Sequence, residues 1–199
     1  SGSAPLLSET HQDFYNITGH RILERYGMTE TNMNTSNPFD GERKAGSVGK
    51  PLKDISIRIN KTKGDKDTVL NKIGMIEIKG PNVFKGYLNN PKKTQEAFTE
   101  DGYFITGDIG HFDKDGYLFI SGRNKDLIIS GGFNVYPKEI EDVINQHKSV
   151  IESAVFGIKD NDLGEVPIAA VVMINDNKEI KNLSVFVENN LVKYKIPKK

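Results

Sequence analysis

No cysteine occurs among the 199 residues. That excludes a disulfide scaffold, thiolate-held zinc and a cysteine nucleophile, and it is compatible with a reducing compartment. Net charge is missing too: 27 basic side chains meet 27 acidic ones. No long-range pull toward nucleic acid or an anionic membrane is therefore expected. Long apolar runs are absent. The longest, Val166 to Ile174, is interrupted by Pro167 and falls well short of the roughly 20 residues that cross a bilayer. No signal-peptide pattern is present. His11, His20, His111 and His147 show no metal-ligand spacing. What is there is 36% hydrophobic and 27% charged. That balance builds a packed core, at a length for one large domain or two small ones.

The chain changes character along its length. Ser1 to Pro5 is a small-residue loop, and Ser8 is placed to cap a short helix carrying Phe14 and Ile17. Arg21 to Tyr26 reads as a strand, and Thr31 to Gly49 as a polar loop. Ile55, Ile57 and Ile59, and then Ile76 and Ile78, alternate with polar residues, the signature of half-buried strands. Lys61 to Asp67 would be the charged hairpin tip between them. Asn90-Pro91 starts a short helix, and Tyr103–Ile105 and Tyr117–Ser121 read as strands. This β-rich part is expected to form a distorted barrel. From Leu127 on, the order becomes strand, helix, strand, strand, helix, which predicts a compact α+β domain. The class is α+β throughout, with domains expected at 1–124 and 125–199.

Several short motifs are candidates for chemistry. Tyr26-Gly27-Met28-Thr29-Glu30 offers a ring to stack on a base, a hydroxyl for a phosphate oxygen and a carboxylate for Mg²⁺. It reads equally as a strand end with a glycine turn. Thr106-Gly107-Asp108 places a carboxylate where ribose hydroxyls could donate to it, or simply in a turn. Gly122 to Asp126 is either a cationic contact followed by a hinge or a charged hairpin. Ser130 to Glu141 contains Gly131-Gly132, which permits unusual dihedrals or close approach of a ligand. Gly41 to Ser47 has the glycine gap of a phosphate loop but lacks its lysine, and Asp113 to Gly116 has the wrong spacing for a calcium loop.

Taken in order, Ser1-Gly2-Ser3-Ala4-Pro5, Tyr26 to Glu30, Gly46-Ser47-Val48-Gly49, Thr106 to Asp108, Gly122 to Asp126 and Gly131 to Pro137 resemble the core motifs of the adenylate-forming superfamily. That superfamily contains acyl-CoA synthetases, luciferases and peptide-synthetase adenylation domains. The resemblance covers nearly the whole chain, and Glu24 to Pro38 is most similar to malonyl-CoA synthetases. It implies the end of a large AMP-binding domain followed by a small mobile domain. The implied reaction joins a carboxylate to CoA through an acyl-adenylate, with ATP, Mg²⁺ and CoA as cofactors and co-substrates.

Carried over by position, the resemblance puts Gly2, Ser3, Ala4 and Pro5 along the adenine and acyl pocket. Tyr26 and Gly27 fall at adenine, Met28 in the acyl pocket, Thr29 at phosphate and Glu30 on Mg²⁺. Asp108 and Arg123 hold the ribose, Lys125 is the hinge, and Gly131 and Gly132 face CoA. Thr29 and Glu30 are the implied catalytic residues. The family's phosphate-gripping loop and catalytic lysine have no counterpart here; Lys198 and Lys199 match only the run that precedes the lysine motif. The chain is thus expected to be a piece of a longer protein, inactive by itself. The resemblance further implies fatty acid metabolism in the cytoplasm, or in the mitochondrial matrix of a eukaryote, with small-molecule partners and no nucleic acid. It leaves the oligomeric state open. Two other readings stand beside malonate: a ligase for a medium-chain or aromatic acid, and a non-catalytic module whose terminal lysines dock an acidic partner.

Overall fold

A computed structural model describes residues 1–2, 6–60, 73–174 and 180–198. The chain divides into two units, Ser1–Ile120 and Ser121–Lys199. The first opens with helix α1 (Ser8–Thr18), where Leu7, not Ser8, takes the N-cap position and Gly19 closes the helix at φ 71°. The stripe expected of this helix faces outward, with Ile17 84% exposed.

A hairpin follows, formed by β1 (Arg25–Met28) and β2 (Asn32–Ser36), with β3 (Lys50–Pro51) as a third antiparallel strand. The strand expected at Arg21 to Tyr26 therefore begins later, and β2 lies in what reads as loop. Its inward residues are polar, so hydropathy does not mark it. Asn34 and Thr35 are fully buried; the Thr35 hydroxyl donates to the Val48 carbonyl at 2.6 Å.

Strands β4 (Ser56–Asn60), β5 (Gly74–Lys79), β6 (Phe104–Phe112) and β7 (Leu118–Arg123) form a second sheet in that order. Ile57 faces Ile78 and Ile59 faces Ile76 across β4 and β5. The sheet is open; the described residues form no closed barrel. Lys61 to Asp67, the expected hairpin tip, lies outside the described residues. Tyr26, Ile76, Ile78 and Leu118 make the core, joined by Val48, Ile55 and Val83. Helix α2 (Pro91–Glu96) is capped by Asn90, whose side chain accepts from the Lys93 N–H, with Pro91 opening the helix.

The second unit has β8 (Ile128–Ser130), β9 (Phe133–Val135), α3 (Pro137–Ile144), β10 (Val150–Asp160), β11 (Gly164–Met173) and α4 (Ile180–Asn190). Its sheet runs β10-β11-β8-β9. Ile140 and Ile144 of α3 and Leu183 and Val187 of α4 pack with Ile128, Val135 and Val155, as the 3.6-residue spacing requires. No described helix is long and apolar enough to cross a membrane.

Candidate active site

Two irregularities in the first unit shape the site. The first is the turn between β1 and β2. Thr31 N–H donates to the Met28 carbonyl at 3.1 Å, and Asn32 then takes φ 52°. This is a three-residue hairpin loop closed by a left-handed residue. It holds Thr29 and Glu30 at its tip, Thr29 exposed and Glu30 half-buried. A Cβ on Gly27 would lie 2.2 Å from the Asn32 carbonyl oxygen, so only glycine lets the strands approach this closely. Tyr26 pairs with Thr35 but Gly27 with Met33, a bulge beside the turn.

The second irregularity lies in β6. Glu77 faces Ile105 and Met75 faces Ile109, so Thr106, Gly107 and Asp108 of β6 stand against the single residue Ile76 of β5. Gly107 takes φ 78°. Bulges redirect side chains, and they gather near active sites. Here the Asp108 N–H donates to the Thr106 hydroxyl oxygen at 3.0 Å, and that hydroxyl donates to the Ile76 carbonyl at 2.8 Å. Asp108 is thereby aimed at β1. The Tyr26 phenol donates to Asp108 Oδ2 at 2.6 Å and lies 3.9 Å from Met28 Sδ. Tyr26 is 7% exposed and Asp108 5%. A carboxylate offers about four acceptor positions, and the phenol takes one of them.

Glu30 is held from another direction. Phe84 N–H donates to its carbonyl at 2.8 Å, and the Tyr87 phenol donates to its Oε1 at 3.1 Å. Burial first, then the Glu30 carboxylate, pushes the Tyr87 phenol above its ordinary value. No group of three or more His, Cys, Asp or Glu side chains able to hold a metal occurs among the described residues. A cation at Glu30 would thus have at most two such side chains of the described residues, with the remaining ligands from water and phosphate. Magnesium is commonly bound in that way, so the donor set fits it.

The structure brings Tyr26, Gly27, Met28, Thr29 and Glu30 into one hairpin and Asp108 into contact with it. Gly2 sits beside the same strand, where a Cβ would meet Arg25 Cγ at 3.3 Å. Ser3, Ala4 and Pro5 lie outside the described residues. Arg123, Lys125, Gly131 and Gly132 belong to the second unit. Lys125 is exposed in a 3₁₀ turn at Asn124–Asp126. Gly131 and Gly132, at φ 56° and 82°, form the two-residue loop between Ser130 and Phe133, which pair across it. Positive φ at both positions is the preferred short hairpin turn. Tyr87 carries no motif in the sequence, and Thr106 stands there only as part of Thr106-Gly107-Asp108, with no role of its own. Tyr87 stands 57 positions from Glu30, and no local pattern reports such a contact.

Residues 1–88 match the family model described as AMP-binding enzyme, and residues 139–199 match the AMP-binding enzyme C-terminal domain. Among curated proteins, a malonate–CoA ligase of Arabidopsis thaliana is 41% identical over 99% of this chain and 34% of its own length. A 2-succinylbenzoate–CoA ligase of Bacillus licheniformis is 44% identical over 89% of this chain and 37% of its own. Among solved structures, ATP-bound MatB from Rhodopseudomonas palustris superposes with a TM-score of 0.93 at 52% identity. It is matched by all of this chain over 40% of its own length. The chain belongs to the AMP-binding family of adenylate-forming enzymes. It spans about a third of the length of the curated relatives it matches.

Proposed function

We propose that the whole protein is an AMP-forming carboxylate–CoA ligase and that its acid is malonate. The Tyr26–Asp108 hydrogen bond of 2.6 Å carries the first part. It pairs a buried aromatic with an oriented carboxylate next to the turn bearing Thr29 and Glu30, the groups a nucleotide needs. In this reading the base lies toward Tyr26 and Gly27, with Gly2 beside it, and Asp108 and Arg123 accept and donate at the ribose. Met28 borders the acid. Thr29 donates to a phosphate oxygen, and Glu30 would hold magnesium, which neutralises phosphate charge when bound. The acid's carboxylate oxygen attacks the α-phosphorus and diphosphate leaves. The CoA sulfur then attacks the acyl carbon and AMP leaves. The small domain, taken as residues 125–199, rotates about Lys125 between these steps and brings Gly131 and Gly132 to the thiol. The 41% identity over 99% of this chain to the malonate–CoA ligase supports malonate; 2-succinylbenzoate is the competing acid, on 44% identity over 89% of this chain.

The experiment is thioester formation by the full-length protein with ATP, Mg²⁺, CoA and one acid at a time. Malonate should give the highest kcat/KM. A higher value for 2-succinylbenzoate or a long-chain acid would overturn the malonate assignment, and no thioester from any acid would overturn the ligase.

A further inference from the structure

We infer that Tyr87 is a positioning residue for Glu30: its phenol holds one carboxylate oxygen so that the other is presented singly to a divalent cation. This rests on the reading of Glu30 as the metal ligand given above. Glu30 stands at the tip of a hairpin turn, where a long side chain samples many rotamers. Its backbone is fixed by the Phe84 N–H, 2.8 Å from its carbonyl oxygen. Its side chain is fixed by Tyr87, whose phenol donates to Oε1 at 3.1 Å. Tyr87 is half-buried, and its phenol takes the Glu30 carboxylate as partner.

Tyr87 is itself anchored by α2. Its N–H donates to Thr94 Oγ1 at 2.9 Å, and that hydroxyl donates to the Asn90 carbonyl at 3.0 Å. Lys93 Nζ lies 3.9 Å from the Tyr87 ring centroid, an attractive placement for a cation. Phe84 meets the ring edge-on at 4.9 Å. The helix is thus a pedestal, the phenol its working end and Oε1 the atom it holds. With the phenol on one lone pair of Oε1, ligation of a metal through Oε2 is favoured over a chelate that needs both oxygens. Magnesium and manganese suit such single-oxygen ligation in an octahedral shell, whereas calcium readily takes both oxygens of a carboxylate. Tyr87 therefore tunes both the strength and the kind of cation bound. Outer partners of metal ligands commonly contribute 10- to 100-fold in affinity.

The test uses the full-length protein and needs no turnover. Binding of Mn²⁺ in the presence of ATP, without acid or CoA, is followed by electron paramagnetic resonance, with Ca²⁺ as competitor. Tyr87→Phe should weaken Mn²⁺ binding by roughly tenfold or more and make Ca²⁺ a better competitor, with metal-free ATP binding unchanged. Thr94→Ala, which loosens the anchor and keeps the phenol, should weaken Mn²⁺ less. It supplies the reading should Tyr87→Phe fail to fold. Glu30→Gln should lose more than either. Wild-type Mn²⁺ binding and Ca²⁺ competition in the Tyr87 or Thr94 variants, beside a defective Glu30→Gln, would overturn the role of Tyr87 alone. Wild-type binding by Glu30→Gln would overturn the Glu30 assignment itself.

Discussion

The Thr106 hydroxyl makes two hydrogen bonds at once, accepting from the Asp108 N–H at 3.0 Å and donating to the Ile76 carbonyl at 2.8 Å. A valine has nearly the same shape and neither bond. Thr106→Val leaves a buried donor and a buried acceptor unpaired, which costs about 1–3 kcal/mol. Denaturant unfolding should show that loss, and KM for ATP should rise as Asp108 drifts from Tyr26. Thr106→Ser should retain most of both properties. A valine variant with wild-type stability and KM would remove the hydroxyl from the design of the site. Glu77 shows how such residues escape a sequence reading. It interrupts an apolar strand, yet it is fully buried, with Arg58 Nε and Asn60 Nδ2 each 2.6 Å from its carboxylate. Nothing local to Met75 to Lys79 announces partners on the neighbouring strand.

Elements with a clean period were legible. The isoleucines of β4 and β5, the Asn90-Pro91 start of α2 and the apolar face of α3 all follow from residue spacing. β2 was not, because its buried residues Asn34 and Thr35 are polar, as is Asn37 just past its end. The Asn37 amide donates to the carbonyls of Glu24, at 3.2 Å, and Ser47, at 2.7 Å. β6 was read only at its start because the Thr106–Asp108 bulge breaks its alternation. β9 is three residues long and too short for any period. The turn at Asn124–Asp126 has a prediction of its own. As the hinge, Lys125→Pro should spare acyl-adenylate formation and slow thioester formation, since proline fixes φ. Diphosphate exchange and thioester release, measured separately, check it. An equal loss in both would contradict a hinge there.

At the scale of the molecule, the order of motifs told more than any one of them. Tyr26 to Glu30 and Thr106 to Asp108 are ambiguous strand ends in isolation, and the fold brings them together through the Tyr26–Asp108 bond. The first unit also holds His11, buried, and His111, half-buried. His11 is 1% exposed, and burial, with Arg21 and Arg43 adding to it, lowers its pKa below 6.5. Glu24 Oε2 stands 3.8 Å away. Burial likewise lowers His111, against an opposing pull from Asp113. As pH falls, the unfolded chain takes up these protons first. The stability they support is present above about pH 6.5 and lost progressively below it. The melting temperature of the full-length protein should drop between pH 7.5 and 5.5, and His11→Leu should flatten that drop. An unchanged slope would contradict this account of His11.

The central claim is that Asp108, oriented by Tyr26, belongs to a nucleotide site. Acid-dependent ATP–diphosphate exchange in the full-length protein tests it directly, comparing Asp108→Ala with Asp40→Ala, an exposed loop carboxylate, and with thermal melting to verify that both fold. Charge-assisted hydrogen bonds contribute roughly 1.5–3 kcal/mol each, about 10- to 150-fold in efficiency per bond. Asp108→Ala should lose at least that in kcat/KM for ATP while Asp40→Ala keeps the wild-type value. Equal exchange kinetics in the two folded variants would contradict the account.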